Sequence, residues 1–202
     1  MICVLNIGSG NLRSVKNALD YLNIKSKITD KAKIIRSADH LIIPGDGAYS
    51  HAMNYIKKKR LNEEITRFIN LNKPVLGICL GFQILMQSSN EFSYNNGLGI
   101  FKYKVENLRL KSRTHIGFNE VHEFHRKLKL LKKIQNKRFY FLHTFGVRKK
   151  NSSFLEKNVG FTNFDNKKFL SIIEYKNIFA TQFHPEKSGN QGLQLLKNFS
   201  NF

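Results

Sequence analysis

An α/β fold built on an open, mostly parallel sheet is predicted by three features of this 202-residue chain. Strand-like and helix-like apolar patterns alternate through the first half, short apolar runs end at glycine-containing turns, and the second half shifts to strand patterns with few helices between them. The run Ile2 to Ile7 has the length and content of a strand. Gly8-Ser9-Gly10-Asn11 then turns the chain into a helix with Val15, Ala18, Leu19 and Leu22 on one face. Residues 25–29 are a candidate second strand and 40–43 a third. The spacing predicts helices over 48–58 and 61–71, a buried strand over 75–78, and a helix start over 80–86. Strands are then predicted over 99–108, 138–147, 159–164, 169–175 and 178–183, so an antiparallel or mixed section is expected there. A last helix, 192–199, is expected to turn Leu193, Leu196 and Phe199 inward. Helices flank the sheet, and a single domain over 1–202 is long enough to bury a sizeable core.

The chemistry-bearing residues sit at the ends of two of these strands. Cys79 follows Lys73-Pro74-Val75-Leu76-Gly77-Ile78 and precedes Leu80-Gly81-Phe82-Gln83, so its sulfur projects from a tight turn onto a helix start. The unpaired N–H groups of such a start favour a thiolate and can hold an oxyanion. Gly-x-Cys-x-Gly alone fits an inert buried thiol slightly better than a nucleophile. His184 and Glu186 lie just past the strand 178–183, two positions apart and so on one face. As isolated residues they read as a loop histidine and a solvated charge. Together with Cys79 they make a nucleophile, a base and an orienting acid. Pro44-Gly45-Asp46-Gly47 follows the third strand, where ligands bind in open α/β sheets. It fits a routine turn and a second oxyanion contributor equally well.

Composition narrows the partners. The chain carries 34 basic and 14 acidic residues, a formal charge of +20. The basic residues are gathered in Lys57-Lys58-Lys59-Arg60, in 126–133 and in Lys149-Lys150, without a nucleic-acid motif or interleaved aromatics. Solvated basic faces are therefore preferred over nucleic-acid binding, with an acidic protein partner between the two. Abundant Lys, Asn, Ile and Phe fit a bias toward AT-rich codons equally well. Cys3 and Cys79 form neither a disulfide framework nor a metal site. The start of the chain lacks the charged region of a signal peptide and no apolar run reaches membrane-span length, so a soluble, cytoplasmic protein is expected.

Six segments occur in order: Asn11-Leu12-Arg13-Ser14-Val15, Pro44-Gly45-Asp46-Gly47-Ala48, Lys73 to Gln83, His115-Ile116-Gly117-Phe118-Asn119, Tyr140-Phe141-Leu142-His143-Thr144 and Gln182-Phe183-His184-Pro185-Glu186-Lys187-Ser188. With them the whole chain resembles the glutaminase subunits of imidazole glycerol phosphate synthases, within the class I glutamine amidotransferases. The resemblance implies the class I glutamine amidotransferase fold and hydrolysis of glutamine to glutamate and ammonia by Cys79, His184 and Glu186. It implies that the Leu80 N–H and the peptide at Asp46 serve the oxyanion, and that Gln83 with the backbone around Gly47, His143, Thr144 and Phe145 cradles glutamine. Glu91, near the end of the helix, is a weaker candidate for the substrate amine, with a solvated charge as its alternative. No cofactor and no metal are implied. The implied partner is a (β/α)₈ synthase subunit, bound as a heterodimer, which receives the ammonia in histidine biosynthesis; nucleic acid and membrane are not implied.

The chain departs from the family pattern at several positions. Asp46 stands where valine is usual, and a carboxylate there is tolerable only if it points away from the developing negative charge. Phe82 replaces methionine, Thr114 to Asn119 alters a Pro-His-Met-Gly-Trp-Asn segment expected near the synthase-facing edge, and Gln87 and Asn90 replace acidic residues. The alternatives these leave are a paralogue supplying ammonia to a sugar-amidinating enzyme and a catalytically weak subunit that stabilises its partner.

Overall fold

The computed structural model describes residues 1–124, 127–148 and 158–202. Its first half runs β1 (Ile2–Leu5), α1 (Leu12–Tyr21), β2 (Ser26–Thr29), α2 (Ala32–Ser37), β3 (His40–Ile43), α3 (Tyr49–Lys58), α4 (Leu61–Asn70), β4 (Val75–Ile78) and α5 (Leu80–Ile84). There follow β5 (Met86–Ser89), β6 (Asn95–Asn96), β7 (Phe101–Asn107), β8 (His115–Glu120), β9 (His122–Phe124), β10 (Arg138–His143) and β11 (Phe145–Gly146). The chain closes with β12 (Asn158–Phe164), β13 (Lys167–Tyr175), β14 (Ile178–Thr181), a 3₁₀ turn at Pro185–Lys187 and α6 (Gly189–Phe199).

Eight strands form one sheet in the order β2-β1-β3-β4-β14-β13-β12-β9. Pairings from β2 through to β14 are parallel, and those from β14 outward are antiparallel. Successive strand residues face opposite sides, so Cys3, Leu41, Ile43, Val75 and Ala180 join one apolar cluster with α3 and α4. Val4, Ile42, Leu76 and Phe179 join the other with α1 and α6. Both faces are covered, and the central strands accordingly read as continuous apolar runs. A second sheet, β11-β7-β5-β6, and the antiparallel pair β10-β8 stand beside the main one.

Several boundaries differ from the sequence reading. The helix predicted over 80–86 ends at Ile84, and Met86 opens a strand. Leu80, Phe82, Ile84, Leu85 and Met86 are all buried, so no apolar face marks where the helix stops. The Ile84 and Leu85 carbonyls instead accept from Leu98 N–H at 2.8 Å and Phe101 N–H at 3.1 Å. The strand predicted over 138–147 divides at Thr144, β10 pairing with β8 and β11 with β7. In α6 it is Leu195, Leu196 and Phe199 that are fully buried, while Leu193 is only partly so. The basic run ending α3 is exposed, with Lys59 paired to Asp30 at 3.2 Å and Arg60 to Glu63 at 2.8 Å. Arg126 and Lys149-Lys150 lie outside the described residues. Among the described residues no helix is long and apolar enough to cross a membrane.

Candidate active site

The site begins with a turn that only small neighbours permit. Cys79 has φ 53° and ψ −102°, a conformation unfavourable for a residue with a side chain. Its flanking glycines let three segments meet: a Cβ on Gly81 would fall 1.7 Å from the Ile43 carbonyl oxygen, and one on Gly77 would fall 2.7 Å from the Gly81 carbonyl oxygen. The Cys79 N–H donates to the Thr181 carbonyl at 2.8 Å, which ties the turn to the end of the neighbouring parallel strand β14.

That strand leads to His184, the base candidate. The His184 N–H donates to the Tyr140 carbonyl at 2.8 Å, and the Ser188 hydroxyl donates to the His184 carbonyl at 2.6 Å while accepting from the Tyr140 N–H at 2.9 Å. The backbone around His184 is thus pinned to β10. Its Nδ1 lies 2.7 Å from Glu186 Oε1, with both side chains fully buried. The Asn11 side-chain amide also donates to Glu186 Oε1, bringing the start of α1 to the His184–Glu186 pair. His184 Nε2 is buried with no nitrogen or oxygen partner among the described residues. The Cys79 sulfur acts on this ring through its charge and as a hydrogen-bond partner. Burial pushes the imidazole pKa down, but the sulfur and the Glu186 carboxylate outweigh it and raise it to about 10. The Cys79 sulfur lies 3.8 Å from the Leu142 carbonyl and 3.8 Å from Gln182 Nε2. Cys3, by contrast, is a buried thiol in β1 whose pKa is pushed up to about 12 by desolvation.

Above Cys79 opens a cavity of about 600 Å³, lined by Leu80 and Gln83, by Asp46 and Gly47, by Leu142 to Phe145 and by Glu91 and Phe92. All five residues expected to cradle a substrate line it. The Gln83 amide donates to the Phe145 carbonyl at 2.9 Å and to Gln182 Oε1 at 3.2 Å. His143 Nδ1 lies 2.9 Å from the same Phe145 carbonyl. The Thr144 hydroxyl meets that of Thr114 at 2.9 Å. Glu91 is not at a helix end: it follows β5, and its Oε2 accepts from Tyr49 N–H at 3.0 Å, capping α3 from across the cavity. Burial raises its pKa, against the opposing bond from Tyr49.

One backbone N–H expected to serve an oxyanion is not presented to the cavity as a free donor. The Leu80 N–H donates to the Gly45 carbonyl at 3.2 Å instead of pointing unpaired into the cavity. The half-buried Asp46 leans its carboxylate on Gly10, where a Cβ would fall 2.5 Å from Oδ1. Two contributors carried no role in the sequence reading. Gln182 bridges Gln83 and the Cys79 sulfur, its Nε2 lying 3.8 Å from Sγ, and Asn11 holds Glu186. The signal for Gln182 was a polar residue closing an apolar strand; for Asn11, an asparagine at a helix start, where its φ of 67° suits that residue type.

Comparison with known proteins identifies the family. Residues 3–201 match the family described as Glutamine amidotransferase class-I. The chain is 40% identical over 207 residues to the imidazole glycerol phosphate synthase subunit HisH of Chlorobaculum tepidum, covering 100% of each. It is 38% identical to the protein of the same name from Pyrococcus furiosus, covering 98% of this chain and 97% of that one. Among solved structures, one titled a glutamine amidotransferase superposes with a TM-score of 0.73 at 18% identity, covering 99% of this chain and 97% of the other. PurLQS from Thermotoga maritima does so with a TM-score of 0.71 at 18% identity and the same coverage. Structures this distant in sequence establish the fold alone. The match across nearly all of its length and the full-length HisH relatives establish the family: the chain belongs to the class I glutamine amidotransferases, among the HisH subunits of imidazole glycerol phosphate synthase.

Proposed function

We propose that this chain is a glutaminase subunit that hydrolyses glutamine to glutamate and ammonia through Cys79, His184 and Glu186. The ammonia passes to a (β/α)₈ synthase subunit, which makes imidazole glycerol phosphate and aminoimidazole carboxamide ribonucleotide in histidine biosynthesis. The observation that carries this reading is the buried His184–Glu186 pair beside Cys79, at the ends of adjacent parallel strands beneath a cavity of about 600 Å³. The thiolate attacks the side-chain amide carbon, and the carbonyl electrons move to oxygen. Collapse of that adduct breaks the C–N bond, with His184 giving its Nε2 proton to the departing ammonia. Water, losing a proton to His184, then attacks the thioester, and the thiolate leaves as glutamate forms. Glu186 holds the imidazole in register for both transfers.

A synthase partner is supported by the outward face of β8, where Ile116 and Phe118 are 61% and 53% exposed, apolar side chains in a segment expected from the resemblance to lie near the synthase-facing edge. The test is glutamate release from glutamine by the wild type and by Cys79→Ala, measured with the copurified partner present. Loss of release in the variant supports the assignment, and unchanged turnover overturns it.

A further inference from the structure

We infer that His115, which lies behind the cavity wall and does not line it, is a positioning residue that sets the hydrogen-bonding state of His143 and through it the shape of the pocket. The inference deepens the glutaminase reading, since the pocket's occupant is taken to be glutamine.

The hydrogen bonds run in one direction. Asn119 Oδ1 accepts from Glu120 N–H at 2.7 Å and its Nδ2 donates to the Asn163 carbonyl at 3.1 Å, which settles which end of that amide carries the hydrogens. The same Nδ2 lies 3.5 Å from His115 Nε2, which must then be the acceptor. At the other end, a carbonyl only accepts, so the 2.9 Å contact to Phe145 requires the His143 proton on Nδ1. His143 Nε2 is left as a lone pair, 3.4 Å from His115 Nδ1, and that nitrogen must carry the other proton. Each ring's tautomer is dictated by its neighbour. Burial keeps both rings neutral: the His143 pKa falls to about 3, and that of His115 falls to about 4 against an opposing pull from Asp165.

The relay ends where substrate is handled. The Phe145 carbonyl takes both the His143 proton and the Gln83 amide, and Gln83 reaches Gln182, which contacts the Cys79 sulfur. Without His115 the buried Nε2 of His143 has no donor, the ring is free to change tautomer or turn, and the Phe145 carbonyl and Gln83 lose a fixed reference. The competing account treats His115 as an aromatic filler, because its ring stacks on Phe141 at 4.7 Å and on Phe164 at 4.0 Å.

Two substitutions separate these accounts. His115→Phe keeps the stack and removes the donor, whereas His115→Asn loses the stack and keeps an N–H close to the Nδ1 position. If His115 positions the pocket, His115→Phe raises KM for glutamine roughly 3- to 10-fold, the worth of one hydrogen bond, with a smaller change in kcat, and His115→Asn recovers part of it. A filler role gives the opposite order, with Phe nearest the wild type, and that result overturns the inference. Side-chain nitrogen NMR of the wild-type protein supplies a readout independent of turnover: both rings are expected neutral with the proton on Nδ1, and a His143 proton on Nε2 overturns the inference even if a variant fails to fold. Absence of glutamate release by the wild type would count against the glutaminase reading, while the NMR result would still decide the relay.

Discussion

Leu80 and Gly45 are joined by a hydrogen bond of 3.2 Å from the Leu80 N–H to the Gly45 carbonyl, and Leu80 lines the same cavity as Cys79. On the proposed glutaminase reading, the donor a tetrahedral oxyanion would need is therefore occupied by an acceptor. Rotating the Gly45–Asp46 peptide by half a turn would release it and present the Asp46 N–H in its place. One oxyanion donor is worth roughly 10²- to 10³-fold in kcat. Glutamate release by the chain alone is expected to be slow and to rise by about that factor with the synthase subunit and its nucleotide. Gly45→Ala should blunt the rise, because its Cβ would fall 2.7 Å from Ser9 Oγ and 3.2 Å from Leu80 Cβ. Equal rates with and without the partner would show that this peptide does not control turnover.

The strained backbone of Cys79 predicts an inverted glycine effect. Glycine ordinarily destabilises relative to alanine, but at φ 53° and ψ −102° the alanine Cβ carries the strain. Cys79→Gly is expected to be more stable than Cys79→Ala by about 1 kcal/mol, with both inactive. Chemical denaturation of the two variants measures the difference, and an alanine variant of equal or higher stability would remove the case for strain.

How much of this was legible in the sequence depends on how each segment is buried. The strands 40–43 and 75–78 were readable to the residue, because each is a short apolar run bounded by polar residues, Pro or Gly. The segment after Cys79 was not, since burial on every side erases the periodicity that marks a helix end. That error carried Glu91 to a helix terminus, although its carboxylate caps α3. α2 escaped notice because six residues with only Ile35 buried show no pattern. Cys79, His184 and Glu186 were visible because they stand at strand ends. Asn11 and Gln182 act through contacts across 175 and 103 positions, which local pattern cannot reveal.

Glu186 should set both the protonation and the orientation of His184. The folded His184 pKa of about 10 lies above its usual value of about 6.5. Its bound proton thus stabilises the fold fully below about pH 6.5, and that contribution is lost as pH rises through about 10. Glu186→Gln removes one of the groups raising the pKa and leaves Cys79 as the other. His184 should titrate at lower pH in an NMR titration, alkaline destabilisation should begin earlier, and kcat should fall roughly 10²- to 10⁴-fold. An unshifted His184 titration would exclude this role for the carboxylate.

His115 and His143 act with the opposite sign. Their folded pKa values, about 4 and about 3, lie below the unfolded value, so between that value and the folded ones only the unfolded chain takes up their protons. Stability therefore falls as pH drops below about 6.5, by up to about 1.4 kcal/mol per pH unit for each ring. The groups facing them are Asp165, which raises His115, and His184, which lowers His143. The half-buried His40, also held low by burial, adds a slope of the same sign. Urea unfolding at pH 7 and pH 5 should show the loss, and His115→Phe, with one fewer ring to protonate on unfolding, should show a shallower one. An identical pH slope in the variant would mean that His115 is protonated in the folded protein as readily as in the unfolded chain, in conflict with its place between two phenylalanine rings.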